Sequence, residues 1–294
     1  MEGLVARIEA LIHEDVGRGI SVLCAAARGG LFAAASAIAA EAKPRIGILT
    51  GFFVPAGTPP AAETDGPAGA ALLALGFSRA GLPCRVMTDA PCRSACEAAL
   101  AGAGLTDVPV DAAPLGAPLD DAIAVWRDAG INWAIAIERC GRAADGTLRN
   151  MRGENIGAHA TPMDDLFTAG PWGTVGIGDG GNEIGMGALP ARLIADHVMH
   201  GATIRCVTRA EHLIVAGVSH WGAYALIAAL AAARGEWRSG LLSCLDPATD
   251  RAIIEALVAH GPAVDGVTLQ RTPTIDGLGM AAHRRKLLAI MAVV

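Results

Sequence analysis

The stretch GIGDGGNEIGMG, residues 176–187, combines a glycine-rich loop with two carboxylates. It begins with the G-x-G-x-x-G spacing of loops that bind dinucleotides. Such loops work because glycines let backbone N–H groups approach a pyrophosphate at the start of a helix. Asp179 and Glu183 would repel that phosphate. We therefore predict that neither NAD nor flavin binds here, and that the loop instead turns Asp179, Asn182 and Glu183 inward together.

Further carboxylates stand where predicted strands end. CRVMTD ends in Asp89, WAIAIE ends in Glu138, and RIGILT leads into a loop that carries Glu63 and Asp65. Because the carboxyl ends of parallel strands meet at one edge of a sheet, we expect these acids and Asp179 to converge there. The alternative is that each acid only caps the following helix, which explains Glu138 poorly because Glu is a weak N-cap.

Carboxylates brought together repel one another, so a cation must compensate them. The candidates are a divalent metal with oxygen ligands, an ammonium group on the substrate, or nearby arginines. We predict that Mg²⁺ or Mn²⁺ is held by some of Glu63, Asp65, Glu138, Asp179 and Glu183.

The block ERCGRAADGTLRNMRG, beside a predicted strand end, is rich in arginine. Guanidinium groups bind carboxylates through paired hydrogen bonds, so this block is a candidate receptor for an acidic substrate. The predicted substrate-binding side chains come from this block, from the glycine loop and from the end of a later strand: Arg139, Arg142, Arg152, Asn150, Asn182, Ser219 and His220.

Short β-branched runs alternate with Ala-rich helical stretches, which predicts a three-layer α/β/α sandwich with a mostly parallel sheet. Residues 1–44 form a helical N-terminal extension, and residues 1–294 form one domain. The predicted strands are Arg45–Thr50, Cys84–Asp89, Trp133–Glu138, Thr174–Asp179, Ile204–Thr208 and His212–Ser219. The predicted helices cover 67–81, 92–102, 118–130, 190–200, 221–234 and 247–260, and 104–118 is predicted to be a surface connection.

Composition excludes some classes of partner. The net charge is −6 and aromatic residues make up 4%, so a basic, aromatic surface for nucleic acid is absent. Residues 213–233 carry no charge over a length that could span a bilayer, but glycines, Ser219 and His220 interrupt them, which favours a buried strand and helix.

Cellular location is predicted from the cysteines and the first residues. The seven cysteines are an odd number and show no zinc spacing. The opening stretch is too acidic for a secretory or transit signal. We expect a cytoplasmic protein in a reducing compartment, with a small-molecule substrate and a tendency to form a homo-oligomer.

Taken together, the motifs resemble the D-glutamate cyclase family. The matching blocks are TGFFVP with ETDGPAGA, AIERCGRAADGTLRNMRG, GIGDGGNEIGMG, HLIVAGVSHWGAYAL, VDGVT and TIDGLGM, which run from Thr50 to Gly279. The resemblance implies an α/β sandwich that interconverts D-glutamate and 5-oxo-D-proline plus water. Ring closure needs a base for the α-amine and an acid for the leaving oxygen, and we predict these roles for Asp179, Glu183, Glu138 and Asp65.

Two other functions use the same acids. One is a divalent-metal-dependent phosphohydrolase that acts on a small phosphorylated metabolite. The other is a non-catalytic sensor of an acidic amino acid.

Overall fold

The computed structural model describes all residues from Met1 to Val294. Six parallel strands form a central sheet, and helices cover both of its faces. This arrangement confirms the predicted α/β/α sandwich. The strands are β1 (Ile46–Leu49), β2 (Phe53–Val54), β3 (Ala61–Ala62), β4 (Cys84–Asp89), β5 (Val110–Ala113), β6 (Trp133–Ile137), β7 (Gly173–Gly178), β8 (His212–Val215), β9 (Thr274–Ile275) and β10 (Leu278–Gly279).

Thirteen α-helices connect and cover these strands. The first three form the predicted N-terminal extension. The helices are α1 (Glu2–Ile12), α2 (Ser21–Ala26), α3 (Gly30–Ala40), α4 (Asp65–Arg79), α5 (Arg93–Gly102), α6 (Asp120–Asp128), α7 (Asp164–Thr168), α8 (Ala191–His197), α9 (Gly201–Ile204), α10 (Ser219–Ala233), α11 (Arg238–Ser243), α12 (Pro247–His260) and α13 (Met280–Met291).

The order of the strands determines where a ligand binds. The sheet runs β5-β4-β1-β6-β7-β8, so the chain builds outward from β1 on one side and then from β6 on the other. Counted along the chain, this is the doubly wound order 3-2-1-4-5-6. Loops that leave β1 and β6 diverge to opposite faces, which opens a crevice at the carboxyl ends of these two strands.

Alternation of side chains along the strands builds two separate cores. Ile135 and Ile137 of β6 belong to a cluster of 55 buried residues that includes α4 and α10. Ala134 and Ala136 face the other way and join Trp126 of α6 in a cluster of 14. This period of two is what a strand buried on both faces requires. The sheet therefore has apolar contacts on both faces, and its polar residues collect at its edge.

Some predicted elements are wrong. No strand forms over Ile204–Thr208, because Ile204 ends α9 and the next residues bond to loops. Val207 donates to the Arg142 carbonyl, and Gly185 donates to that of Thr208. The stretch 104–118 contains the edge strand β5, which was missed because it is short and half-buried.

Other elements begin and end differently from the prediction. Strand β8 ends at Val215, and α10 begins at Ser219. Helix α4 begins at Asp65, two residues before the predicted start at 67. Helices α7 and α13 were not predicted. No helix combines the length and apolar character needed to cross a membrane. The interpretation of 1–294 as one domain stays a prediction.

Close packing of α3 on the sheet predicts a sensitive position. A Cβ added at Gly30 would lie 1.9 Å from the Leu213 carbonyl oxygen of β8. We expect Gly30→Ala to lower the free energy of unfolding by about 1–3 kcal/mol, because backbone cannot move aside as a side chain does. Urea denaturation measures the change. Gly3→Ala in α1 is the matched control, because no atom lies within 4 Å of its new Cβ. Equal stability of the two variants would contradict the packing described for α3.

Candidate active site

The first two site carboxylates follow adjacent strands. Glu138 comes directly after β6 and Asp179 directly after β7, and the Glu138 N–H donates to the Ile177 carbonyl. Glu138 has a φ of +43°, which is uncommon for a residue with a Cβ. Backbone strain of this kind is concentrated at functional sites. The predicted convergence of Glu138 and Asp179 at one sheet edge is confirmed.

A cavity of about 290 Å³ opens at this edge. Its polar lining combines carboxylates with two guanidinium groups, and its apolar lining comes mainly from two aromatic and two methionine side chains. The cavity is lined by Gly17, Arg18, Phe52, Phe53, Val54, Glu63, Glu138, Asn150, Met151, Arg152, Asp179, Met199, Gly266 and Val267.

Three buried carboxylates form the centre of the site. Asp65, Glu138 and Asp179 each place one oxygen within 4.8 Å of the others. The start of α10 binds all three. The Ser219 N–H donates to Asp65 and Asp179, at 3.1 and 3.0 Å, and the Ser219 hydroxyl donates to Glu138 at 2.6 Å. Because free N–H groups and the dipole make a helix N-terminus positive, α10 partly compensates this cluster.

A guanidinium from the N-terminal extension supplies a full positive charge. Arg18 donates to Asp179 through one nitrogen and to Asp276 through another. The neighbouring acids hold the pKa of Arg18 well above its ordinary value although burial opposes this. Arg18 therefore stays charged, and it links the segment before α2 to the loop between β9 and β10.

One arginine does not balance the acids around it. Burial, followed by neighbouring carboxylates, raises the pKa values of Glu63, Asp65 and Glu138 well above the ordinary range. Burial and then Asp179 raise the pKa of Asp276 to about 8. A site with such pKa values has an excess of negative charge, and it favours protons or a further cation.

The glycine loop of residues 176–187 brings only one of its three predicted polar side chains, Asp179, to the cavity. Glu183 accepts three backbone N–H bonds, from Asp179, Gly180 and Gly181, at 2.6–3.0 Å. These N–H groups are the ones that would hold a pyrophosphate in a dinucleotide loop. Asn182 donates to the Arg149 carbonyl. Glu183 and Asn182 therefore shape the loop, and neither lines the cavity.

Two of the three predicted arginines lie outside the cavity. Arg139 is fully buried and donates to Asp89 at 2.7 Å and to the Gly51 carbonyl. Arg142 forms a paired contact with Asp165 near the surface. The charge of Asp89 is thus compensated by Arg139, and neither residue lines the cavity. Neither arginine lines the cavity, so the structure does not bring them to the position that the prediction required.

Arg152 and Asn150 do line the cavity. Asn150 accepts the backbone N–H groups of Arg152 and Glu154, which holds this turn in place. Arg152 donates to the Gly266 carbonyl at 3.1 Å. Of the predicted substrate-binding side chains in the arginine-rich block, these two are placed to contact a ligand.

The side chain of His220 points away from the acids that its backbone holds. Its N–H donates to Asp65 at 2.7 Å, whereas its ring pairs with buried Asp250 at 2.7 Å. The pKa of Asp250 lies below its ordinary value, because the attraction of His220 and its hydrogen bond to Asp250 outweigh burial. Asp250 was not predicted. His220 positions the start of α10, with no contact to the cavity.

Sequence reasoning also missed Arg18 and Asp276, two residues that complete the site. Asp276 lies in TIDGLGM and has a positive φ of 55°, so it occupies a tight turn between β9 and β10. The Asp-Gly pair is a turn signal, and it could have drawn attention to this loop. Arg18 lies between two glycines in GRG, and no local pattern predicts its partners.

A doubly wound parallel sheet with an acid-lined cavity at its switch point defines a class of α/β proteins that bind small molecules at strand ends. The chain belongs to the family described as D-glutamate cyclase-like, C-terminal, whose model matches residues 8–291. It is also similar to the human protein named D-glutamate cyclase, mitochondrial, with 47% identity over 100 residues. That match covers 33% of this chain and 16% of the human protein.

The position of Arg18 predicts strong coupling to Asp276. We expect Arg18→Met to lower the free energy of unfolding by about 3 kcal/mol, because it leaves buried carboxylates without their cation. Asp276→Asn added to this variant should restore part of the loss. Urea denaturation of wild type, both single variants and the double variant gives the coupling energy. Purely additive effects would show that the two groups do not interact.

The burial of His283 predicts that the stability of the protein depends on pH. Its Nδ1 accepts from Trp221 at 3.1 Å, and its Nε2 lies 3.1 Å from the Leu278 carbonyl, so the neutral ring satisfies both contacts. Burial lowers the pKa of His283 from 6.5 to about 4. Between these values the unfolded chain binds more protons, so stability is present above pH 6.5 and is lost as the pH falls towards 4.

The test compares wild type with His283→Asn, which keeps an acceptor for Trp221. The difference in unfolding free energy between the two proteins should shrink by up to about 3 kcal/mol as the pH falls from 6.5 to 4. Urea denaturation at several pH values measures it. Parallel curves across this window would contradict a buried neutral imidazole.

Proposed function

We propose that the protein is a D-glutamate cyclase, a hydro-lyase that interconverts D-glutamate and 5-oxo-D-proline plus water. The observation that carries this proposal is the acid-lined cavity of a chain that belongs to the D-glutamate cyclase-like family. Buried carboxylates attract the substrate ammonium, and Arg18 and Arg152 offer guanidinium groups to its carboxylates. Neither the phosphohydrolase nor the sensor is favoured by the family match.

Glu63 is the proposed proton carrier. It lines the cavity, and burial followed by the charge of Asp276 raises its pKa, which favours a carboxyl group that holds a proton. In ring closure the α-ammonium loses two protons, and the departing carboxylate oxygen gains two to become water. Glu63 receives protons from nitrogen and returns them to oxygen, so no external acid or base is consumed.

The donor set fits a divalent metal. Asp65, Glu138 and Asp179 present oxygens within 4.8 Å of one another, and oxygen ligands suit Mg²⁺ or Mn²⁺. The raised pKa values of Asp65 and Glu138 also indicate uncompensated charge. We propose these three as the metal ligands, with Ser219 fixing their orientation. A bound metal would polarise the substrate γ-carboxylate as a Lewis acid.

This proposal gives Glu63 and Glu183, two of the predicted metal ligands, other roles. Glu63 lines the same cavity and carries protons, and the Glu183 carboxylate holds the glycine loop. The human relative is named as mitochondrial. A cytoplasmic location and a homo-oligomer stay predictions for this chain.

Turnover of purified protein tests the function. We expect D-glutamate to yield 5-oxo-D-proline, measured by chiral chromatography, with L-glutamate as the comparison substrate. EDTA should abolish turnover, and added Mn²⁺ or Mg²⁺ should restore it. Folded protein that converts neither D-glutamate nor 5-oxo-D-proline would overturn the function. Full activity after exhaustive EDTA treatment would overturn the metal alone.

Substitution of Glu63 tests the proton carrier. Glu63→Gln keeps the size but removes the titrating group, so kcat should fall by about two orders of magnitude or more with little change in stability. Glu97→Gln on the exposed face of α5 is the matched control and should keep full activity. A Glu63→Gln variant that is folded and fully active would assign proton transfer to another residue.

A further inference from the structure

The side chains in the outer part of the cavity differ in polarity from those at its bottom. Glu138 and Asp179 at the bottom are buried, whereas Met199 is 73% exposed and Val267 is 52% exposed. Phe53 lies beside them in the lining, with its ring stacked on His159 at a centroid distance of 5.1 Å. We call Phe53, Met199 and Val267 the apolar rim.

Exposed apolar side chains that share one cavity indicate a binding surface. Large side chains scattered singly on a surface need no explanation, but neighbouring ones beside a polar pocket mark a place where ligands bind. The apolar rim is continuous with the carboxylates, because both line the same cavity. A ligand that fills the cavity therefore has a charged end and an apolar end.

Free D-glutamate provides only the charged end. Its two carboxylates and its ammonium group are accounted for by the buried acids and by the guanidinium groups of Arg18 and Arg152, which line the cavity. The cavity of about 290 Å³ has the volume of about ten water molecules. The covalently bonded atoms of glutamate take less than this, and glutamate carries no group that would cover the apolar rim.

The position of the extra group follows from the reaction. Ring closure joins the α-nitrogen to the γ-carbonyl carbon, and the group that leaves that carbon points away from the forming ring. The other groups outside the ring are the α-carboxylate and the carbonyl oxygen, which are polar, so only the leaving group can present an apolar surface. We propose, resting on the cyclase function above, that the protein also cyclises γ-D-glutamyl amides whose apolar amine occupies the apolar rim.

The step is balanced without a further reactant. The α-nitrogen forms a bond to the γ-carbonyl carbon, and the bond from that carbon to the amide nitrogen breaks. The two protons lost by the α-ammonium are the two that convert the departing nitrogen into an alkylammonium ion. The products are 5-oxo-D-proline and the amine. A neutral amide carbonyl is also a better electrophile than the carboxylate of free glutamate, so the same acids act on an easier substrate.

The experiment uses the full chain with γ-D-glutamyl-p-nitroanilide, whose aromatic amine is detected by absorbance. We expect release of p-nitroaniline with an equal amount of 5-oxo-D-proline, and at least tenfold slower release from the L-isomer. Absence of both products, in protein that cyclises D-glutamate, overturns this inference and leaves the cyclase function standing. Protein that converts neither compound overturns both.

A variant of the apolar rim tests where the amine binds. Met199→Ser should lower the ratio of kcat/KM for the anilide to that for D-glutamate by about tenfold, because it removes an apolar contact that only the anilide makes. Leu115→Ser is the matched control, because Leu115 is another exposed apolar residue, and it lies outside the cavity lining. An unchanged ratio in Met199→Ser would overturn the assignment of the apolar rim.

Discussion

Compensation of buried negative charge is the constraint on which this structure depends. Asp65, Glu138 and Asp179 meet in a space where each raises the cost of ionising the others. Three features lower that cost. The start of α10 offers N–H groups, Arg18 offers a guanidinium, and the raised pKa values leave room for protons or a metal. Without these, burial of the cluster would oppose folding.

The starts of two helices serve the same constraint. Asp65 begins α4 and Ser219 begins α10, so both helices point their positive ends at the cluster. Glycines in α4 also permit its close approach to the sheet. A Cβ on Gly66 would lie 2.6 Å from the Thr50 hydroxyl oxygen, and one on Gly69 would lie 2.5 Å from the Ile137 side chain. Packing and electrostatics are therefore satisfied by the same few residues.

The strand ends could be predicted from sequence, because apolar runs of β-branched residues stop abruptly at Glu138 and Asp179. That local signal was enough for the parallel sheet and for half of the site. The choice of cation could not be predicted. The arginines beside Glu138 look like substrate receptors, yet Arg139 meets Asp89 and Arg142 meets Asp165. Partner choice among charged side chains depends on distances across the folded chain, which local patterns do not contain.

The contact between Arg18 and Asp276 joins residues that lie 258 positions apart. During synthesis the arginine is made first, and the ribosome needs roughly 10–50 s to reach its second partner at about 5–20 residues per second. Until then the acidic crevice lacks the loop that carries Asp276, although all six strands of the sheet have been synthesised by Val215. The cavity is thus completed only after Asp276 has been made, and a ligand that requires it meets only chains that already contain both partners.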